Sequence, residues 1–97
     1  MNLIFEWDEN KAASNLRKHR ISFDEAKTIF NDLFLVTFAD DFHSDSEERF
    51  ISIGNSASNR VLLVVHTEFS ETEFETIIRI ISCRKAIASE REIYEQG

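Results

Sequence analysis

Three cations crowd the end of an apolar run in RIISCRKA, residues 79–86, in a chain whose formal net charge is −7. Arg79, Arg84 and Lys85 stand there with no acid among them. A guanidinium offers a planar fork of donors that matches a phosphate, and an ammonium adds a compact point charge, so the stretch has the composition of an anion site. Spacing constrains it. Residues five apart point to opposite faces of an unbroken strand, so Arg79 and Arg84 share a face only if the strand ends or bulges near Ser82–Cys83. Without such a break, Arg84 and Lys85 are the expected pair. Plainer readings stand beside these: Arg84 and Lys85 as solvated charges at a helix start, and Arg79 as a structural ion-pair partner for an acid such as Glu68 or Glu75. Groups able to move protons follow in Glu90 and Tyr94, one helical turn apart. His66 adds an imidazole, a group that changes charge near neutrality. Each also has a bland alternative, helix packing for Glu90 and Tyr94 and a satisfied sheet histidine for His66.

The elements that must position these residues can be read along the chain. NLIFEW (residues 2–7) suits a first strand. Asp8 has the character of an N-cap for a helix over residues 9–19, with Ala12, Ala13 and Leu16 on one side. Ser22 and Glu25 form an S-x-x-E capping box that opens a second short helix to about Phe30, with Phe23, Ala26, Ile29 and Phe30 at helical spacing. From Leu33 the period changes. LFLVTF, ERFISIG, RVLLVVHTEF and FETIIRIISC read as strands, separated by the acidic loop DDFHSDSEE, the turn NSASN and a hairpin through SETEFET. Short connections predict an antiparallel meander of about four strands, covered on much of both faces. AIASEREIYEQ closes the chain as a helix. The expected fold is α+β, one domain over residues 1–97, with RIISCRKA at the junction of the last strand and the last helix.

Composition narrows the function. Acid is concentrated in residues 21–78, where three cations face twelve acids, while residues 1–20 and 79–97 each carry four cations against three acids. A generic basic footprint for nucleic acid is therefore absent, but a local positive patch forms if the two ends meet in space. A single cysteine, Cys83, excludes an internal disulfide, and His19, His43 and His66 lie too far apart in sequence to suggest a metal site, so no metal or cofactor is expected. His19 reads as a helix C-terminal residue and His43 as an exposed loop residue. No secretory signal or stretch of membrane-spanning length is present, which predicts a cytoplasmic protein and no membrane partner.

Four motifs in order resemble the BrnT family: Trp7-Asp8-Glu9-Asn10-Lys11; Lys18-His19-Arg20-Ile21-Ser22-Phe23-Asp24-Glu25-Ala26; Glu47-Glu48-Arg49-Phe50-Ile51-Ser52-Ile53-Gly54; and Ile80-Ile81-Ser82-Cys83-Arg84-Lys85-Ala86 with Glu90 and Tyr94. Cys83 stands where the family usually has Ala. The resemblance implies a toxin of a bacterial type II toxin–antitoxin pair with a RelE-like fold, an endoribonuclease that cleaves RNA and blocks translation. It also implies a BrnA-like ribbon-helix-helix antitoxin as partner, with operator DNA reached only through that antitoxin. Metal-independent RNA cleavage needs a base at the 2′-hydroxyl, cations on the phosphorane and an acid at the leaving 5′-oxygen. Arg84, Arg79 and Lys85 are the candidate phosphate ligands, and Glu90, Tyr94 and His66 the candidate acid and base. The alternative is a non-catalytic, antitoxin-binding subunit of a DNA-binding repressor complex.

Overall fold

The computed structural model describes residues 2–43, 47–70 and 72–96. Strand β1 (Asn2–Glu6) leads into helix α1 (Glu9–His19), the short helix α2 (Phe23–Ala26) and a 3-10 turn (Lys27–Asn31). Strands β2 (Val36–Ala39), β3 (Phe50–Asn55), β4 (Val61–Ser70) and β5 (Glu75–Lys85) follow, then helix α3 (Ala88–Gln96). The sheet is five-stranded in the order β1-β5-β4-β3-β2. It departs from the antiparallel, roughly four-stranded expectation because β1 joins it, parallel to β5, with Glu6 opposite Arg79. A parallel partner seventy residues away in sequence leaves no local turn signature. Part of the predicted acidic loop, residues 44–46, and Glu71 of the predicted hairpin lie outside the described residues. Among the described residues no helix is long and apolar enough to cross a membrane.

Local chemistry accounts for the helix starts. Asp8 Oδ1 accepts from the Asn10 and Lys11 N–H groups, and Ser22 Oγ accepts from the Glu25 N–H at 3.0 Å. The second half of the capping box does not form. Glu25 turns instead to Arg60, taking Nε at 2.7 Å and Nη2 at 2.5 Å, and to the Ser56 hydroxyl at 2.7 Å. Arg60 foremost holds the Glu25 carboxyl below the usual carboxylate range, against its burial and with a contribution from Lys85. One charge-assisted fork from a distant turn outcompetes one neutral backbone N–H.

The main core lies between the sheet and the α1–α2–3-10 segment. Ile21, Phe23, Ala26 and Ile29 meet Leu62, Val64, Ile78, Ile80 and Cys83 there, all buried. Each large aliphatic or aromatic side chain in it contributes about 2 kcal/mol. Trp7 packs edge-on against Phe23, ring centroids 5.8 Å apart, and seals one flank. Among the described residues the opposite face is packed at one end, where α3 brings Tyr94 against Ile53, Leu63 and Ala86.

Gly54 shows how tight the covered face is. A Cβ added there would lie 2.9 Å from Leu35 Cδ1, 3.1 Å from Ile29 Cβ and 3.3 Å from the Ile29 carbonyl oxygen. The Leu35 tip can turn aside, but Ile29 cannot. Gly54→Ala is expected to destabilise by about 1–3 kcal/mol through overpacking, read as a fall in the thermal midpoint. An unchanged midpoint would show that the 3-10 turn yields without cost.

Candidate active site

The site begins with a bulge. Val65 pairs with Ser82 and His66 with Ile80, so Ile81 is an extra residue in β5. Side-chain parity flips there: Thr76, Ile78 and Ile80 are buried on the helix-covered face before it, and Cys83 after it. The break that the arginines need therefore exists, one residue earlier than Ser82–Cys83. Arg79 pairs with Thr67 and Arg84 with Leu63, which puts both on the face opposite α1 and α2. Four residues of β4 separate those positions, about 13 Å. Lys85 pairs with Leu62 and belongs to the other face, near Glu25.

Beyond Arg79 the outer edge of β5 loses β1, and α1 takes its place. Asn15 Oδ1 accepts the Cys83 N–H at 3.0 Å, while Nδ2 donates to the Ile21 carbonyl and to Cys83 Sγ, each at 3.1 Å. Asn15 is the buried residue of α1, whereas Leu16 is half exposed. Ala12, Ala13 and Leu16 do share a side with Trp7 and Phe23, but the deepest contact of α1 is a polar clamp on a strand edge, a tertiary demand that periodicity does not carry. Burial pushes the Cys83 thiol up to about 11, so it stays protonated in this seam. One turn after Asn15, on the same side of α1, His19 comes beside Ile81 and Ser82.

These features frame a groove of about 560 Å³ on the open face. Ile51, Leu63, Val65 and Ser82 lie along it, from three adjacent strands. Arg84 and Glu90 line the α3 side, His19 the β5 side, and Asp40, His43 and Arg49 the side of the segment joining β2 to β3. Arg84 Nη1 and Nη2 donate to the two Glu90 oxygens at 2.7 and 2.8 Å, and Glu90 Oε1 also accepts the Ile87 N–H at 2.9 Å, fixing the start of α3. Arg84 holds the Glu90 carboxyl below its ordinary range, and Glu90 in turn raises the guanidinium. The pair uses the guanidinium's end-on fork. Its Nε–Nη2 edge carries a second fork, for which no acceptor occurs among the described residues.

The other predicted residues stand elsewhere. Arg79 Nη1 lies 3.8 Å from Glu6 on β1, so its ion-pair partner is neither Glu68 nor Glu75. Tyr94 donates its hydroxyl to Asp32 Oδ2 at 2.5 Å, away from the groove, and that bond together with burial pushes the phenol up to about 12. Asp32 stays below its usual range despite burial, through the Asn55 and Phe34 N–H groups and Tyr94. His66 is fully buried on the helix-covered face between the Phe30 and Phe50 rings, its Nε2 2.7 Å from Ser52 Oγ. Of the six, the groove brings together only Arg84 and Glu90. It adds Asp40 and His43 instead, joined by hydrogen bonds of 3.0 and 3.2 Å from His43 Nδ1 to the Asp40 carboxylate. The Asp-x-x-His spacing across a turn was a signal for that pair, hidden among neighbouring acids. Among the described residues, no three His, Cys, Asp or Glu side chains gather in a way that could hold a metal ion.

Residues 7–90 match the sequence model of the ribonuclease toxin BrnT of type II toxin–antitoxin systems. The chain belongs to the BrnT family. The 1.1 Å crystal structure of the Brucella abortus ribonuclease toxin BrnT superposes with a TM-score of 0.62 at 21% sequence identity, covering 90% of this chain and 99% of that one. At that identity the likeness is one of fold. No curated protein sequence matches the chain. The BrnT match runs from Trp7, just after β1, through Glu90, and so takes in both Arg84 and the carboxylate that holds it. Membership in a toxin–antitoxin family implies an antitoxin partner.

Proposed function

We propose that this BrnT-family chain is an endoribonuclease that cleaves RNA without a metal ion, blocks translation in the cytoplasm, and is neutralised by a BrnA-like ribbon-helix-helix antitoxin through which it reaches operator DNA. The RelE-like kinship belongs to the same reading and draws on the α+β order of elements. The observation that carries it is Arg84 clamped by Glu90 at the wall of the groove, with the donors of its Nε–Nη2 edge not used by that clamp. A bidentate donor of fixed orientation suits the equatorial oxygens of a phosphorane, where charge develops during transesterification. Glu90, ionised and occupied, acts as the positioning residue for Arg84 rather than as a proton donor. Arg79 lies too far along the strand to share that phosphate and is placed to meet a neighbouring one. Lys85 faces away, and its charge supports the Glu25–Arg60 pair. The acidic middle of the chain favours a basic protein surface, as an antitoxin would offer.

The test is incubation of purified protein with single-stranded RNA in EDTA. Cleavage leaving 2′,3′-cyclic phosphate and 5′-hydroxyl ends, suppressed by the co-purified antitoxin, is the expected result. RNA left intact under varied conditions would turn the reading to a non-catalytic, antitoxin-binding subunit.

A further inference from the structure

We propose that two histidines on opposite sides of the groove carry the proton transfers: His43, set by Asp40, as the general acid and His19 as the general base. This rests on the ribonuclease reading and names the groups that reading leaves open. An in-line displacement at phosphorus needs its base and its acid on opposite sides of the reacting phosphate. The groove offers that arrangement. His19 stands at its β5 side, carried by α1 and anchored through the Asn15 clamp one turn earlier. His43 stands on the far side of the groove, in the segment after β2, with β4 and β3 between it and the β5 side. Arg84 lines the same groove from the α3 side.

Asp40 distinguishes His43 from a loop histidine that merely touches solvent. The Asp40 side chain is only 8% exposed and that of His43 is 70% exposed. A buried carboxylate therefore engages Nδ1, and Nε2 is the ring nitrogen left for a substrate in the groove. A carboxylate behind Nδ1 fixes the orientation of the ring, as an acid that must meet the leaving oxygen requires. Asp40 is itself tied in place, its N–H donating to the Arg49 carbonyl at 2.8 Å. The atoms balance as follows. The 2′-oxygen bonds to phosphorus as its proton passes to His19. The bond from phosphorus to the 5′-oxygen then breaks, and His43 gives its proton to that oxygen. A cyclic phosphate and a 5′-hydroxyl result, and proton exchange with water restores both rings. Arg84 stabilises the intervening dianion.

Two substrates separate the roles: ordinary single-stranded RNA, and the same RNA with sulfur replacing the bridging 5′-oxygen at the cleaved bond. A thiolate leaves without being protonated, so the second substrate does not need the acid. His43→Ala is expected to lose about 100-fold or more on ordinary RNA and to return to within about tenfold of the unmodified protein on the sulfur substrate. His19→Ala should lose activity on both, and Asp40→Asn should follow His43→Ala in smaller degree. Folding is checked by thermal melting, since His43 is exposed and its removal leaves the core intact. His43→Ala cleaving ordinary RNA at the unmodified rate would overturn the assignment, as would a loss that the sulfur substrate fails to restore. An unmodified protein that cuts neither substrate would overturn the ribonuclease reading itself, a different outcome from either.

Discussion

Arg84→Ala is expected to lower RNA cleavage by about 100- to 1,000-fold, the usual cost of removing one donor aimed at developing charge, and to abolish growth arrest on expression. Its fold should survive. Glu90 keeps the Ile87 N–H and so still starts α3. Arg84 is 39% exposed at the side chain, so after solvent screening the lost pair costs about 1 kcal/mol. Arg84→Lys is the sharper version, because it keeps the charge and discards the fork. A recovery of more than a small fraction of the activity by Lys would mean that charge alone suffices and that the clamp is incidental. Glu90→Gln should fall between: the amide oxygen can still accept from Ile87, but the guanidinium loses its charged anchor. Full cleavage and full toxicity from Arg84→Ala would place the chemistry away from this groove.

Much of the frame was legible in the residues because it rests on local chemistry. Asp8 and Ser22 cap the helices that they precede, NSASN turns with Asn59 at a φ of 59°, and RIISCRKA runs from the last strand towards the last helix, as expected. LFLVTF was over-read, since Leu33 and Phe34 lie exposed in a turn before β2 begins at Val36. What stayed hidden depends on distant partners. Glu25 abandons its capping role for Arg60, thirty-five positions away. Asn15, an unremarkable polar residue in a helix, becomes the ladder partner of Cys83 across 68 positions. The bulge at Ile81 has no signature in composition; it shows only as a requirement, if Arg79 and Arg84 are to share a face. The candidate site divides along the same line. Arg84 and Glu90 were visible through short-range spacing, whereas His19, Asp40 and His43 join the groove only because α1 lies along a free strand edge and the segment after β2 folds over β3.

His66 gives the second large prediction, and it concerns stability. Burial lowers its pKa from the ordinary 6.5 to about 4. The ring is shielded by Phe30 and Phe50, a backbone contact with Thr67 offsets the burial only in part, and among the described residues Nδ1 has no well-formed hydrogen bond, with Glu68 Oε1 3.9 Å away. The unfolded chain therefore takes up a proton as pH falls below about 6.5, while the folded protein resists until about pH 4. Stability is fully present above the higher value and drains away between the two. From pH 7.5 to pH 5 the loss should be about 2 kcal/mol. Glu25, Asp32 and Glu90, all held below their ordinary range, add their losses only at lower pH, and Glu68, raised by burial, acts weakly in the opposite sense. Urea melts at the two pH values measure the difference, with His66→Gln as control, since the amide can still meet Ser52 but does not titrate. The control should be nearly flat across that window. An unmodified protein as flat as the control would mean that the folded state accommodates a charged imidazole here. If the slope is found, His66 is held neutral for the core throughout the range in which an RNA-cutting acid must hold its proton, and the sheet histidine is separated from the chemistry by measurement as well as by position.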